Sequence, residues 1–313
     1  MRVASNSLTN SLSAELAALG ARQNRLQYQA ATGKRISQLE DDPAAMRQVL
    51  DLQAQNSQLA QYQKNIATLQ AQATSSYNAI SGLQTISARA GEIATQADGT
   101  KSPQELSTYA NEVTQLIQQG VDLMNSKWQG TYQFGGTATG QPPFVMATDA
   151  NGNVTSVTYQ GNDSVPSAEI AAGASVSVQM PGANTSGSGA GGVITDSRNG
   201  ADFFNHLIAL QNDLRSGNTA AISSQDAPAL AKDEDNITSQ IANNGLLQAH
   251  LNTADALAST QSLSVQQTIS QDSDADLAQT LTQLSAAQAA YQAALESGGQ
   301  LLSQSNTLLS YLQ

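Results

Sequence analysis

The stretch ATGKRISQLEDDPAA, residues 31–45, decides how this chain is read. It sets Gly33, the cations Lys34 and Arg35, the carboxylates Glu40, Asp41 and Asp42, and Pro43 between two long runs of helix-forming residues. Gly33 breaks the first helix, Asp41 or Asp42 caps the next, and Pro43 suits that helix's first turn. Lys34 and Arg35 fall near the end of the first helix, where cations suit the negative pole; they are equally placed to reach carboxylates on a neighbouring molecule. The stretch therefore reads as a joint between two helices, despite a charge density that would suit a binding loop.

Working outward, apolar periodicity is the strongest signal. Leu12, Leu16, Leu19, Gln23, Leu26 and Ala30 step by alternating four and three. Near the other end the same alternation runs through Leu277, Leu281, Leu284, Gln288, Tyr291, Leu295, Gly298, Leu302, Ser305, Leu309 and Leu312. Such heptads form a coiled-coil seam, and an unpartnered seam exposes leucine to water. Leu277, Leu281, Leu284, Leu295, Leu302, Leu309 and Leu312 are thus expected to pair with Leu8, Leu12, Leu16, Leu19 and Leu26, or with copies of themselves. The glycines of ESGGQ (296–300) predict a bend or fray in the last helix.

Between the ends, Leu52, Leu59, Ile66, Leu69, Ile80, Leu83 and Ile93 mark one long helix, of roughly 50 residues by its periodicity. Asp98-Gly99 ends it, and Ser102-Pro103 starts a third helix that runs to about Lys127. Residues 130–200 change character, being rich in Gly, Thr, Val and Pro. FVMATDANGNVTSVTYQG (144–161) reads as a hairpin turning at Asn151-Gly152, ASVSVQM (174–180) as a strand, and PGANTSGSGAGG (181–192) as a flexible loop. Helix returns at ADFFNHLIALQNDLRSGN (201–218) and again from Leu230 to Ile269. The expected fold is mainly α: a long antiparallel helical bundle or coiled-coil rod made from both chain ends, with a small β-rich insert. The expected parts are 1–40 plus 275–313 as a terminal coiled coil, 41–130 plus 201–274 as a long-helix rod, and 131–200 as the insert.

Composition limits the function. The chain has 313 residues, only 12% charged and 4% aromatic, with a net charge of −12. Without a basic patch it lacks the electrostatic footprint of nucleic-acid binding, and attraction to anionic lipid is disfavoured. No cysteine means no thiol chemistry or disulfide. The N-terminus lacks the apolar core of a cleaved secretory signal, and no run reaches the ~20 apolar residues of a membrane span.

Catalytic patterns are missing as well. His206 and His250 lie in separate helices without a ligand set, so each reads as a partly exposed helical histidine. KDEDN (232–236) and QDSDAD (271–276) could gather calcium but lack an EF-hand's glycine and distant glutamate; helix faces or helix starts fit them better. No P-loop, HExxH or GxSxG occurs. Neither a cofactor, a metal nor an enzymatic activity is expected.

The signature ATGKRI with DDPAA (31–36, 41–45) resembles that of the bacterial flagellin family. GTYQFGGTATGQPPF (130–144), with Tyr132, Phe134 and Gly136 in its opening turn, is more similar to the hook-associated, hook–filament junction branch than to filament flagellin. FFNHLIALQNDLRSGNTAAI (203–222) also resembles the family's return to helix. SQLE (37–40) and NNGLLQAHLN (243–252) depart from the family pattern. The resemblance implies a structural subunit of the bacterial flagellum, an adapter at the hook–filament junction, with the filament subunit itself as the alternative. It further implies type III export without a cleaved signal, and terminal helices disordered in the monomer that pair on assembly. The implied partners are other copies of the chain, a neighbouring hook-associated protein, filament flagellin and a flagellar export chaperone, and the implied location is extracellular.

Overall fold

The structure, a computed structural model, describes residues 2–310, with side chains described from 10 to 300. Its elements in order are helix α1 (Arg2–Thr32), α2 (Pro43–Gln96) and α3 (Pro103–Met124), then strands β1 (Lys127–Trp128), β2 (Thr131–Tyr132), β3 (Phe144–Thr148), β4 (Val154–Tyr159), β5 (Ala168–Ala171), β6 (Ala174–Val176), β7 (Ala183–Asn184), β8 (Thr195–Asp196) and β9 (Ala201–Asp202). Helices α4 (Phe203–Ser216) and α5 (Thr219–Ala221), a π-turn (Ile222–Asp226), α6 (Ala227–Ser273) and α7 (Leu277–Ser310) complete the chain. It is mainly helical with a small β-containing insert. The contacts divide into two compact units: one from the two chain ends, up to Gln58 and from Gln261, and one from Leu59 to Thr260.

In the terminal unit, α1 and α7 pack together. The α1 seam is as expected: Leu12, Leu16 and Leu19 are partly covered and Leu26 is buried. The α7 seam is so only in part. Leu277, Leu281 and Leu295 are 49%, 54% and 48% exposed, while Thr280, Ala287 and Gly298 are buried and Leu284, Tyr291 and Ala294 are partly covered. The facing stripe thus keeps Leu284, Tyr291 and Gly298 of the expected seam and runs one position off it at Ala287 and Ala294, beside Gln288 and Leu295. Close approach explains the shift: a Cβ on Gly298 would stand 2.6 Å from Leu12 Cδ2, and one on Gly20 would touch the Tyr291 ring at 3.8 Å. Small residues of α7 receive the large residues of α1, and Leu277, Leu281 and Leu295 are left on a flank. Gly298 does not break α7, which continues to Ser310 as one helix. Leu8, Leu302 and Leu309 lie in helix, but their side chains fall outside the described residues, as does Leu312 altogether. Farther along this unit, Ser262 Oγ donates to Asn56 Oδ1 at 2.7 Å, joining α6 to α2.

The Leu59–Thr260 unit has a continuous apolar core. Ile80, Leu83 and Ile93 of α2, Ile117 of α3 and Leu207 and Leu210 of α4 are almost wholly buried in it. The start of α3 is a capping box: Glu105 N–H donates to Ser102 Oγ, and the Glu105 carboxylate accepts from Ser102 N–H. Phe144 lies edge-on to Phe204 at 5.3 Å and tilted against Tyr159 at 5.1 Å. Hairpin β3–β4 is thereby fixed to α4 by aromatic packing. That hairpin turns around Asp149, whose carboxylate accepts the Asn151 and Asn153 amides. A second cluster seats hairpin β5–β6 on the helices, with Ile170 and Val178 against Ile66, Leu69 and Leu251.

Two expectations for the insert need correction. Residues 174–180 form a strand only as far as Val176. The glycine-rich stretch 181–192 is not a free loop: Asn184 is wholly buried and donates to the Ser188 and Ala190 carbonyls at 2.6 Å, and Asn236 of α6 donates to the Gly192 and Val193 carbonyls. β7 pairs in parallel with β8, and β8 antiparallel with β9. Asp196, buried, accepts the Gly192 amide and the Arg198 guanidinium; the guanidinium is the larger cause that pulls its pKa down. Buried polar groups demand partners, and here they order a stretch whose composition alone suggests a tether.

Candidate functional site at the helix joint

α1 ends at Thr32, and Gly33 takes φ +68°. This is a left-handed value that suits glycine. Its amide donates to the Gln29 carbonyl at 2.8 Å, which closes the last turn. The chain then reaches Asp42, which caps α2: its Oδ1 accepts the Ala44 and Ala45 amides at 3.2 and 3.1 Å, and Pro43 occupies the first helical position. Both residues suit those positions. Asp41 has a different task. Its Oδ2 accepts the amides of Ser37 and Gln38, which close the intervening turn and hold its pKa below the ordinary value. Removing the cap, Asp42→Ala, is expected to cost about 1 kcal/mol. Hydrogen exchange at the Ala44 and Ala45 amides should quicken about five-fold as the helix start opens more often. An unchanged rate would show that the cap carries no weight.

The joint is double. Between α6 and α7 the helix breaks at Asp274–Asp276, and Asp276 Oδ1 caps α7 by accepting the Gln279 amide at 3.0 Å. The two breaks bond to each other. Arg35 N–H donates to the Ser273 carbonyl at 2.7 Å, and Ala275 N–H donates to the Gly33 carbonyl at 2.8 Å, making an antiparallel bridge at Lys34 and Asp274. Ile36, beside the bridge, is buried. Lys34 Nζ lies 2.5 Å from Asp274 Oδ1, and this contact, then that with Ser270, lowers the aspartate's pKa. Arg35 Nη2 donates to the Asp272 carbonyl at 2.5 Å, and its Nη1 is 3.8 Å from Asp42. Both cations are therefore engaged within the chain, with partners in the second helix break that the sequence reading did not name. Lys34 and Asp274 are each nearly half exposed, so the ion pair itself adds under about 1 kcal/mol. The backbone bridge is the stronger part of the joint.

The turn that opens the insert belongs to the Leu59–Thr260 unit. β1 and β2 turn through Gln129 and Gly130, both at positive φ, and Lys127 Nζ sits 4.5 Å above the Tyr132 ring. Phe134 is fully buried and its carbonyl accepts the Gly182 amide at 2.7 Å. Tyr159 Oη lies 2.9 Å from that same carbonyl and 3.0 Å from the Asn162 carbonyl; burial pushes its pKa up to about 12. Gly136, at φ +63°, faces Asn162 so closely that a Cβ would come within 2.2 Å of its carbonyl oxygen. The sequence reading places Tyr159 only in a hairpin and does not name Asn162, because only the fold brings them to this turn.

His206 is a partly exposed helical residue, as expected, and has a partner besides: its Nδ1 lies 2.7 Å from Asp233 Oδ2, and the Asp233 side chain is completely buried. Among the described residues there is no group of three or more His, Cys, Asp or Glu that could hold a metal ion. No helix among them is long and apolar enough to cross a membrane.

Residues 3–139 match the family model described as the bacterial flagellin N-terminal helical region. The matched stretch is less than half of the chain. The match to this flagellin region takes in α1, the joint, α2, α3 and the turn at Tyr132–Gly136. The fold agrees with flagellar structures. A protein from Vibrio parahaemolyticus, assigned as flagellar hook-associated, superposes with a TM-score of 0.63 at 22% identity, over 75% of this chain and 100% of that one. Bacillus cereus FlgL gives 0.55 at 21% identity, over 70% and 99%. Xanthomonas campestris FlgL gives 0.55 at 18% identity, over 69% and 98%. No curated protein matches the sequence.

Proposed function

We propose that this chain is a member of the bacterial flagellin family and a structural subunit of the bacterial flagellum that serves as an adapter at the hook–filament junction. The observation that carries the reading is the fold: solved structures of a flagellar hook-associated protein and of FlgL superpose over nearly their whole length. The residues support an assembly role in place of a catalytic one. The double joint sets where the paired terminal helices meet the long ones, and α7 keeps Leu277, Leu281 and Leu295 exposed on its flank. The partners in this reading are further copies of the chain, a neighbouring hook-associated protein, filament flagellin and an export chaperone. The site of action is extracellular, after type III export. The division into terminal coil (1–40, 275–313), long-helix rod (41–130, 201–274) and outer insert (131–200) belongs to the same proposal.

Deletion of the gene is expected to leave cells with hooks that lack filaments, and the tagged protein should mark the hook tip by electron microscopy. The filament-subunit reading draws on the match to the flagellin N-terminal region. It predicts instead that the purified chain polymerises into long filaments under salting-out conditions and that label runs along the filament. Label along the filament would overturn the junction reading.

A further inference from the structure

Asn151, Asn199 and Asn244 each precede a glycine. Such a pair carries its own reaction: the glycine amide nitrogen can attack the asparagine side-chain carbonyl, because no Cβ stands in the way of the approach. As dipeptides the three pairs are chemically alike. The fold makes them different.

Asn244 is wholly buried in α6, where its Nδ2 donates to the Ala73 carbonyl at 3.1 Å and its Oδ1 accepts from Gln248 Nε2 at 2.6 Å. Gly245 lies inside the same helix, so its amide is committed to the helical ladder and held away from the side chain. Asn199 is exposed, but both ends of its carboxamide are held. Its Nδ2 donates to Asn236 Oδ1 at 2.9 Å, and its Oδ1 accepts the Ala201 amide at 3.0 Å. Gly200 N–H donates to the Asp196 carbonyl at 3.1 Å. Asn151 stands exposed at the tip of hairpin β3–β4, and among the described residues its side chain makes no hydrogen bond. Gly152 N–H donates to the Asp149 carbonyl at 3.1 Å, and nothing lies within 4 Å of the Gly152 Cβ position. Here the carboxamide turns freely, and one backbone bond at a solvent-facing turn has to open. At Asn199 two side-chain bonds must break as well, which slows ring closure about ten-fold or more.

We propose that Asn151 is a site of spontaneous covalent modification, deamidating through a cyclic imide with Gly152 while the fold protects Asn199 and Asn244. The Gly152 nitrogen gives its proton to hydroxide and bonds to Asn151 Cγ. The bond from Cγ to the side-chain nitrogen breaks, and that nitrogen takes a proton from water and leaves as ammonia. Water then opens the imide at one of its two carbonyls, giving aspartate or isoaspartate. One water is consumed and one ammonia released, with no oxidation or reduction. Either product sets a new carboxylate two residues from Asp149, and isoaspartate also adds a carbon to the main chain of the turn that the Asp149 carboxylate closes. The tip gains negative charge and loosens, while Phe144 and Tyr159 keep the other end of the hairpin in place.

The test incubates the folded full chain at mildly alkaline pH, digests it with pepsin in acid, where the reaction is slow, and follows each asparagine by mass spectrometry. The Asn151 peptide is expected to gain one mass unit about ten-fold faster than the Asn199 peptide, and the Asn244 peptide to stay unchanged over the same period. Chain denatured in guanidinium chloride should react at all three sites at similar rates, since glycine follows each. Asn151→Gln, which would have to close a larger ring, should lose the fast reaction and with it the isoaspartate detected by isoaspartyl methyltransferase labelling. Its thermal unfolding should match the wild type when followed by the fluorescence of Trp128, the single tryptophan, which lies in the Leu59–Thr260 unit. Equal rates at the three sites of the folded chain would overturn the proposal, as would an Asn199 peptide that reacts first or an Asn151 as inert as Asn244. A denatured chain that keeps the folded order of rates would overturn the protection assigned to the fold.

Discussion

Replacing Gly136 by alanine should destabilise the Leu59–Thr260 unit by about 3 kcal/mol or more. Left-handed backbone alone costs a residue with a Cβ roughly 1–2 kcal/mol. The larger part is steric. The added carbon would meet the Asn162 carbonyl at 2.2 Å, Asn162 Oδ1 at 2.5 Å and the Ser164 carbonyl at 2.8 Å. Backbone must move to relieve this, and it is backbone in demand: Asn162 O faces Tyr159 Oη, while Asn162 Oδ1 accepts the Thr137 amide. Moving it strains the anchor that ties the start of the insert to Gly182 through Phe134. Gly140→Ala is the control, since nothing lies within 4 Å of its Cβ position. Its effect should stay within about 0.5 kcal/mol, as for a surface change. Urea unfolding followed at Trp128 measures both, and equal midpoints would refute the close-packing account.

Removing α7 by ending the chain before Leu277 should abolish incorporation into the flagellum while leaving the Leu59–Thr260 unit folded. α1 would lose the face that covers Leu12, Leu16, Leu19 and Leu26, and an isolated helix gains little from propensity alone. The bridge at Lys34 would lose the capped helix start that follows Asp274, although Ser273 and Asp274 remain. The Leu59–Thr260 unit keeps its own core, so its melting temperature should stay within about 4 °C. Normal incorporation of the shortened chain would sink the assembly role assigned to the terminal helices. A collapse of the Trp128 transition would show that the units do not fold independently.

The local punctuation of this sequence was legible. Gly33, Asp42-Pro43, Ser102-Pro103 and Asn151-Gly152 each act through their own or adjacent backbone, so their effect is written where they stand. What was not legible depends on distant partners. The seam of α7 gave the right helix and part of the face: Leu284, Tyr291 and Gly298 are covered, but Leu277, Leu281 and Leu295 are not, because close packing selects Ala287, Ala294 and Gly298 for size while hydrophobicity ranks leucine first. The ordering of 181–192 rests on Asn236 of α6, far onward in the chain, and composition carries no trace of it. The charges of the first joint were visible, but their engagement with Asp272, Ser273 and Asp274 was not, because the second joint lies at the opposite end of the chain. His206 and Asp233 look unremarkable until α4 and α6 are placed side by side.

The bond between Asn56 and Ser262 has a topological meaning. It marks the point where the chain leaves the terminal unit and the point where it comes back, and the two are neighbours in space although far apart in sequence. The stretch from Leu59 to Thr260 is therefore inserted between two chain segments that meet, the arrangement that tolerates changes in the length of what is inserted.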